Sequence, residues 1–273
     1  MSQLEVATIL QSLTELAASR LEKFDVFTSI PSTNTFLMSQ PPPAVGQYRV
    51  AIADEQTAGR GRQSRRWISE PGAGLYLSVS YTFGPALRAP GGLTLATGVG
   101  VAGALESLDV TGIRLKWPND IIALDGKLGG ILTEMRSGAS DGVTVVTGVG
   151  LNLEIPEHFD LGAESSWAPR AVGLRALVAD PPGRERIAGA LLESLCAAFV
   201  RFEQDGLESF LDEWSRRDWL QGKAVTVDLP DRQVTGTAAG VGNDGSLLVS
   251  TADGRVSVIS GTIVTAGLAE QGQ

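Results

Sequence analysis

The chain has 273 residues, 43% of them hydrophobic, and its 22 basic against 31 acidic side chains leave a net charge of -9. That length has room for one large domain and a small one, and the acidic balance speaks against a general nucleic-acid binder, which needs a broad basic surface to neutralise phosphates. No apolar run reaches the roughly 18 residues of a membrane span, and no basic segment leads into an apolar core at the N-terminus, so no membrane partner and no secretion signal are expected and the cytoplasm is the expected compartment.

Leu4, Ala7, Leu10, Leu13, Ala17 and Leu21 recur at helical spacing and predict an amphipathic helix over 4–23, with Ser2 and Glu5 as a capping box. F-D-V-F-T-S-I reads as a strand, and Ser32-Thr33-Asn34-Thr35 puts small polar side chains at a strand-to-helix turn, where they can cap the helix or reach a ligand. Strand patterns follow at 49–56, 75–83, 113–117, 121–124, 127–134 and 143–152, interrupted by a small-residue helix over 92–108. Helical periodicity returns over about 184–204 and 206–217. Cys196, the one cysteine, lies in the apolar helical pattern L-L-E-S-L-C-A-A-F-V, where a buried, inert thiol is expected. His158, in the loop-like stretch E-I-P-E-H-F-D-L, is the one histidine, which speaks against a histidine-based triad or a multi-histidine metal site. The fold class is α+β, a mixed sheet with flanking helices. After Trp219 the composition turns to short strands with glycine turns at 243–245 and 253–254, predicting a small barrel-like β module. The expected division is 1–218 and 219–273.

Chemistry concentrates in a few stretches. Gly59 to Trp67 carries Arg60, Arg62, Arg65 and Arg66, four arginines in seven positions of an acidic protein. Guanidinium forks bind phosphate oxygens bidentately and the glycines let the backbone approach, so a phosphate-bearing ligand is the natural counterion. Val146, Gly148, Gly150 and Asn152 alternate along one strand, so one face lacks side chains at two successive positions and offers a flat slot with an amide at its rim. A hairpin around Asp125-Gly126 is expected to put Lys127, Gly129 and Ile131 on one face, with Lys127 over the gap at Gly129 and able to hold a carboxylate or phosphate. In Trp117-Pro118-Asn119-Asp120, Asp120 can orient Lys127 or ligate Mg2+, and Asn119 can bond a base or sugar.

Ser32-Thr33-Asn34, Q-T-A-G-R-G-R at 56–62 with Trp67 five residues on, K-W-P-N-D at 116–120, K-L-G-G-I-L at 127–132 and G-V-G-L-N at 148–152 occur in that order, and together they resemble biotin protein ligases. The resemblance implies a catalytic domain related to class II aminoacyl-tRNA synthetases and lipoate ligases, followed by an SH3-like C-terminal domain. It implies that biotin and MgATP give biotinyl-5'-AMP and pyrophosphate, and that a lysine of a biotin carboxyl carrier domain of an acyl-CoA or pyruvate carboxylase then attacks the adenylate. By similarity Ser32, Thr33, Asn34, Gln56, Gly59, Arg60, Gly130 and Gly148 meet biotin. Arg62, Arg65, Trp67, Lys116, Asn119, Lys127 and Asn152 meet ATP or the adenylate. Lys127, Arg62 and Asp120 carry the catalytic roles, Asp120 doubling as the metal ligand. The nucleophiles come from the substrates, so the chemistry needs no histidine or reactive cysteine. An acyl adenylate is a mixed anhydride that water destroys, so residues 59–67 are expected to be mobile when empty and to close over the phosphates.

About thirty residues precede Ser32, fewer than the roughly fifty of a minimal domain, so the form expected lacks an N-terminal DNA-binding domain and a repressor role. A monomer or a ligand-dependent homodimer fits the pattern. The competing readings are a lipoate ligase or octanoyltransferase on a related fold, and a non-catalytic nucleic-acid-binding module.

Overall fold

The computed structural model describes residues 4–85, 87, 91–136, 142–156 and 170–268; His158 and Ser2 lie outside them. The first predicted helix divides into α1 (Val6–Gln11) and α2 (Glu15–Arg20). Thr14 makes the break: its side chain accepts from the Ala17 N–H at 3.3 Å, while its own N–H and hydroxyl donate to Glu193 at 2.9 and 2.8 Å. Glu5 stands at the N-cap of α1 with no side-chain capping bond. The chain runs directly into β1 (Leu21–Ile30), so Leu21 belongs to a strand and not to the expected helix.

In chain order there follow α3 (Thr33–Ser39), β2 (Tyr48–Gln56), β3 (Gly74–Phe83), α4 (Leu93–Glu106), β4 (Arg114–Lys116), β5 (Asp120–Ala123), β6 (Gly126–Arg136), β7 (Val143–Asn152), α5 (Arg184–Asp205) and α6 (Leu211–Arg217). The strands form one seven-stranded mixed sheet in the order β1-β2-β3-β7-β6-β5-β4, in which β1 is parallel to β2 and the other pairs are antiparallel. Period-two alternation divides its two faces. On β3 and β7, Leu75, Leu77, Val79, Tyr81, Phe83, Val145, Val149 and Leu151 turn to a core shared with α4 and α5. Tyr81, Phe83, Phe199 and Phe202 pack there edge-to-face or tilted, each fully buried ring contributing about 1.5–3 kcal/mol. α4 is apolar nearly all round because it is sandwiched between sheet and α5; a Cβ at Gly100 would stand 3.3 Å from Ala198, so glycine lets the two helices close. Cys196 is buried in α5, as expected, and burial pushes its thiol up to about 11. Among the described residues the one helix on the opposite face of the sheet is α3, whose Leu37 packs on Ala51 and Val146, and Gly130, Gly148 and Gly150 on the remainder of that face border a cavity.

Gly206, at φ 66°, ends α5 and turns the chain into a short 3-10 segment before α6. Then β8 (Lys223–Asp228), β9 (Gln233–Val241), β10 (Leu247–Thr251), β11 (Gly254–Val258) and β12 (Thr262–Leu268) form a separate antiparallel sheet in the order β11-β10-β9-β8-β12. The last strand, T-I-V-T-A-G-L, has little alternation of its own and is held by pairing with β8. The two sheets are joined by the Trp219 N–H donating to the Leu115 carbonyl at 2.8 Å and by Trp117 Nε1 donating to the Gly245 carbonyl at 3.0 Å.

Candidate active site

The open face of the large sheet, the Arg-rich segment and one edge of the second sheet enclose a cavity of about 900 Å³, which is the size of a small-molecule site. Its floor is β6 and β7. Gly130 pairs directly with Gly150 across these strands, and Leu132 with Gly148. A Cβ at Gly150 would stand 2.8 Å from the Trp67 ring and one at Gly130 3.2 Å from it, so the indole lies flat over two missing side chains. At Gly148 the vacated space is taken by the Asn34 amide.

Lys127 reaches this floor through a β-bulge. On β5 and β6, Ile121 pairs with Gly129 but Ile122 pairs with Lys127, so Leu128 is an extra residue in β6. The bulge corrects the expected alternation: Lys127 shares a face with Gly130, whose Cβ would stand 3.6 Å from Nζ, and does not look over Gly129. Gly129 instead backs onto the Gly150 carbonyl, 2.6 Å from where its Cβ would lie. The hairpin turn is also shifted by one residue. Its central positions are Leu124 and Asp125, at φ 48° and 55°, and Gly126 already pairs with Ala123.

Asp120 is the electrostatic centre of the site. Lys127 Nζ lies 2.7 Å from one carboxylate oxygen and Lys116 Nζ 2.8 Å from the other. Burial pushes the Asp120 carboxyl upward, but the two ammonium groups outweigh it and hold it well below the usual carboxylate range. Arg62 is drawn into the same neighbourhood: burial lowers its pKa, the nearby Asp120 charge raises it and Arg65 lowers it. Lys127 Nζ also sits 5.6 Å from the Trp67 ring centroid, within cation–π range. Of the two roles expected for Asp120, this geometry supports orienting Lys127. A carboxylate with an ammonium on each oxygen does not fit a divalent cation, and no cluster of three or more acidic, His or Cys ligands occurs among the described residues.

The Arg-rich segment folds as a tight hairpin. Trp67 N–H donates to the Gly59 carbonyl at 2.9 Å, and Gly61 N–H to the Arg65 carbonyl at 2.7 Å. A Cβ at Gly59 would lie 2.5 Å from the Trp67 carbonyl oxygen, so glycine is required there by close approach. The tip, with Gln63 and Ser64 at φ 54° and 60°, touches the second sheet, where the Thr262 hydroxyl donates to Gln63 Oε1 at 2.7 Å.

Ser32 caps α3 and Thr33 and Asn34 open it, so the two readings of that turn are compatible: one residue caps and the next two line the cavity. Thr33 N–H donates to Gln56 Oε1 at 2.8 Å, the Thr33 and Ser78 hydroxyls are 2.7 Å apart, and Ser78 Oγ donates to Asn34 Oδ1 at 2.6 Å. Arg60 is not free: it pairs with Glu134 at 2.9 Å. Asn119 and Asn152 line the cavity, but their amides donate to the carbonyls of Ile131 and Lys127 at 2.8 and 3.1 Å and so secure β6. Arg65 and Lys116 also line it. Sequence reasoning missed Ser78, Glu134 and the wall of the second sheet that includes Asp228, Ser260 and Thr262. Only Glu134 had a signal, a charge two and four places beyond Leu132 and Gly130 on the slot face.

A glycine-floored slot continuous with a lysine–aspartate clamp and an arginine hairpin is a site for joining a carboxylate to a nucleotide. The model of the biotin/lipoate A/B protein ligase family matches residues 26–152, and that of the biotin protein ligase C-terminal domain matches 221–265. The chain is 34% identical to the biotin–[acetyl-CoA-carboxylase] ligase of Mycobacterium tuberculosis, over 91% of each chain. It is 32% identical to the bifunctional ligase/repressor BirA of Escherichia coli, over 82% of this chain and 68% of that one. The biotin protein ligase of Aquifex aeolicus in complex with biotin and ATP superposes with a TM-score of 0.73 at 26% identity, covering 89% of this chain and 97% of that one. The chain belongs to the biotin protein ligase family.

Proposed function

We propose that this ligase forms biotinyl-5'-AMP from biotin and ATP and transfers the biotinyl group to a lysine of a biotin carboxyl carrier domain. In the first step a biotin carboxylate oxygen attacks the α-phosphorus and pyrophosphate leaves. In the second the lysine amine attacks the acyl carbon, AMP leaves and the amine gives up a proton. The observation that carries this reading is the Asp120–Lys127 clamp beside Gly130, with Arg62 lining the same cavity within reach of the Asp120 charge. Asp120 keeps the ammonium aimed at the point where carboxylate and α-phosphate meet, so Lys127 and Arg62 stabilise charge that builds there without reorganising. Ser32, Thr33, Asn34, Gln56 and the backbone of Gly59 and Arg60 hold the polar ring of biotin, and Gly130 and Gly148 line the slot, Gly148 by leaving room for the Asn34 amide. Trp67, Arg65, Lys116, Asn119 and Asn152 border the nucleotide. Mg2+ arrives on the phosphates of ATP as part of that substrate. The division at residue 219, with 219–273 as an SH3-like module, a cytoplasmic location and a monomer or ligand-dependent homodimer complete the reading.

The test is a mass shift on a biotin carrier domain that requires ATP, Mg2+ and biotin together. Transfer of lipoate in place of biotin, or no transfer, would refute it.

A further inference from the structure

The geometry points to Glu134 as a positioning residue that sets the hydrogen-bond polarity of the inner end of the slot, acting through Asn34; the inference rests on the biotin reading. Glu134 lies on β6 two pairs along from the Leu132–Gly148 pair, on the face that carries Gly130. Its carboxylate accepts Arg60 on both oxygens, at 2.9 and 3.2 Å, and Asn34 Nδ2 at 3.0 Å.

A carboxylate only accepts, so it forces the NH2 end of the Asn34 amide toward itself. The Leu132 carbonyl, 3.2 Å from the same nitrogen, agrees with it. The amide oxygen must then face Ser78, and the Ser78 proton is committed to it at 2.6 Å. Each hydroxyl has one proton, so in the 2.7 Å contact between Ser78 and Thr33 it is Thr33 that donates. The Thr33 proton is therefore unavailable to Gln56 Oε1, 3.1 Å away, and that oxygen keeps a lone pair beyond the one taken by the Thr33 N–H. One acidic side chain thus orders three neutral ones, Asn34, Ser78 and Thr33, and leaves a Gln56 lone pair open to the slot, and the ligand group this favours is an N–H donor such as a cyclic urea. Without the charge only the Leu132 carbonyl opposes reversal of the Asn34 amide and both hydroxyls, and the reversed set presents donors instead.

Glu134→Gln keeps the size of the side chain and removes the directing charge. By calorimetry with biotin alone it is expected to weaken binding by about tenfold, the worth of one net hydrogen bond, while the KM for ATP stays within about twofold of wild type. In an Asn34→Ala background the same substitution is expected to weaken biotin by less than about twofold, because the link it acts through is gone. Biotin binding unchanged in Glu134→Gln, or weakened to the same degree with and without Asn34, would overturn the inference. Should that variant fail to fold, Ser78→Ala cuts the chain one link further and carries the test with the same two outcomes. Failure of the wild-type protein to bind biotin would instead overturn the reading on which the inference rests.

Discussion

Asp120→Asn removes one charge and almost no volume, and the structure makes its consequences calculable. The Lys116 and Asp120 side chains are 7% and 13% exposed, so this pair is buried, and each carboxylate oxygen holds one ammonium at 2.7–2.8 Å. An amide can accept from one lysine only; its NH2 would face the other, donor against donor. Breaking a buried pair from one side costs about 3–5 kcal/mol, a large share of the roughly 5–15 kcal/mol that holds a domain together. Because the native Asp120 carboxyl titrates below its unfolded value, its stabilisation is present above the ordinary carboxylate range and is lost as pH falls through the native value. The variant should therefore unfold at lower urea than wild type at pH 7, and the gap should narrow toward acid pH. Lys127 is left with at best a neutral amide oxygen in place of the carboxylate, and a hydrogen bond between charged groups is worth about 1.5–3 kcal/mol, so ATP–pyrophosphate exchange should fall about ten- to a hundredfold. In a Lys127→Ala background Asp120→Asn should cost little further exchange. A wild-type rate in the single variant, or the full loss repeated without Lys127, would refute the clamp.

Gly150→Val should raise the KM for biotin and ATP and shift Trp67 emission, since even a Cβ would lie 2.8 Å from the indole; unchanged emission with normal kinetics would contradict the flat floor. Thr262→Val removes the hydroxyl that holds Gln63 and should speed loss of biotinyl-AMP, followed by chase from the preformed complex, by about threefold, with pyrophosphate exchange less affected. Alkaline pH should destabilise the protein. The Cys196 thiol is raised to about 11, so its stabilisation is complete below the unfolded value near 9 and is lost between there and 11, on the order of 2 kcal/mol. Cys196→Ala should flatten the fall in urea midpoint between pH 8 and 10.5.

Much of the site was legible because its local requirements are severe. Gly59, Gly130 and Gly150 are positions where a Cβ meets backbone or a ring and Gly148 one where it meets the Asn34 amide, and the arginine cluster is improbable in an acidic chain without an anionic ligand. Strands β2, β3 and β7 were readable from alternation, and the helical period over about 184–204 matched α5. The first helix was misread because its break depends on Thr14 meeting Glu193, a contact 179 residues away in sequence. Lys127 was assigned to the wrong neighbour because a bulge leaves no mark on the pattern of L-G-G: one unpaired residue turns every later side chain over, and only pairing with β5 decides where it falls.

The amino-acid order on its own thus determined the sheet, the glycine floor, the cationic hairpin and the two-part architecture, since sterics, periodicity and charge act over a few residues at a time. Tertiary structure alone decided that Asp120 holds Lys116 and Lys127 at once, that Glu134 reaches Arg60 and Asn34, and that the second sheet closes the cavity through Thr262. These are meetings of side chains distant along the chain, and their partners are chosen by strand order and register, which no local pattern encodes.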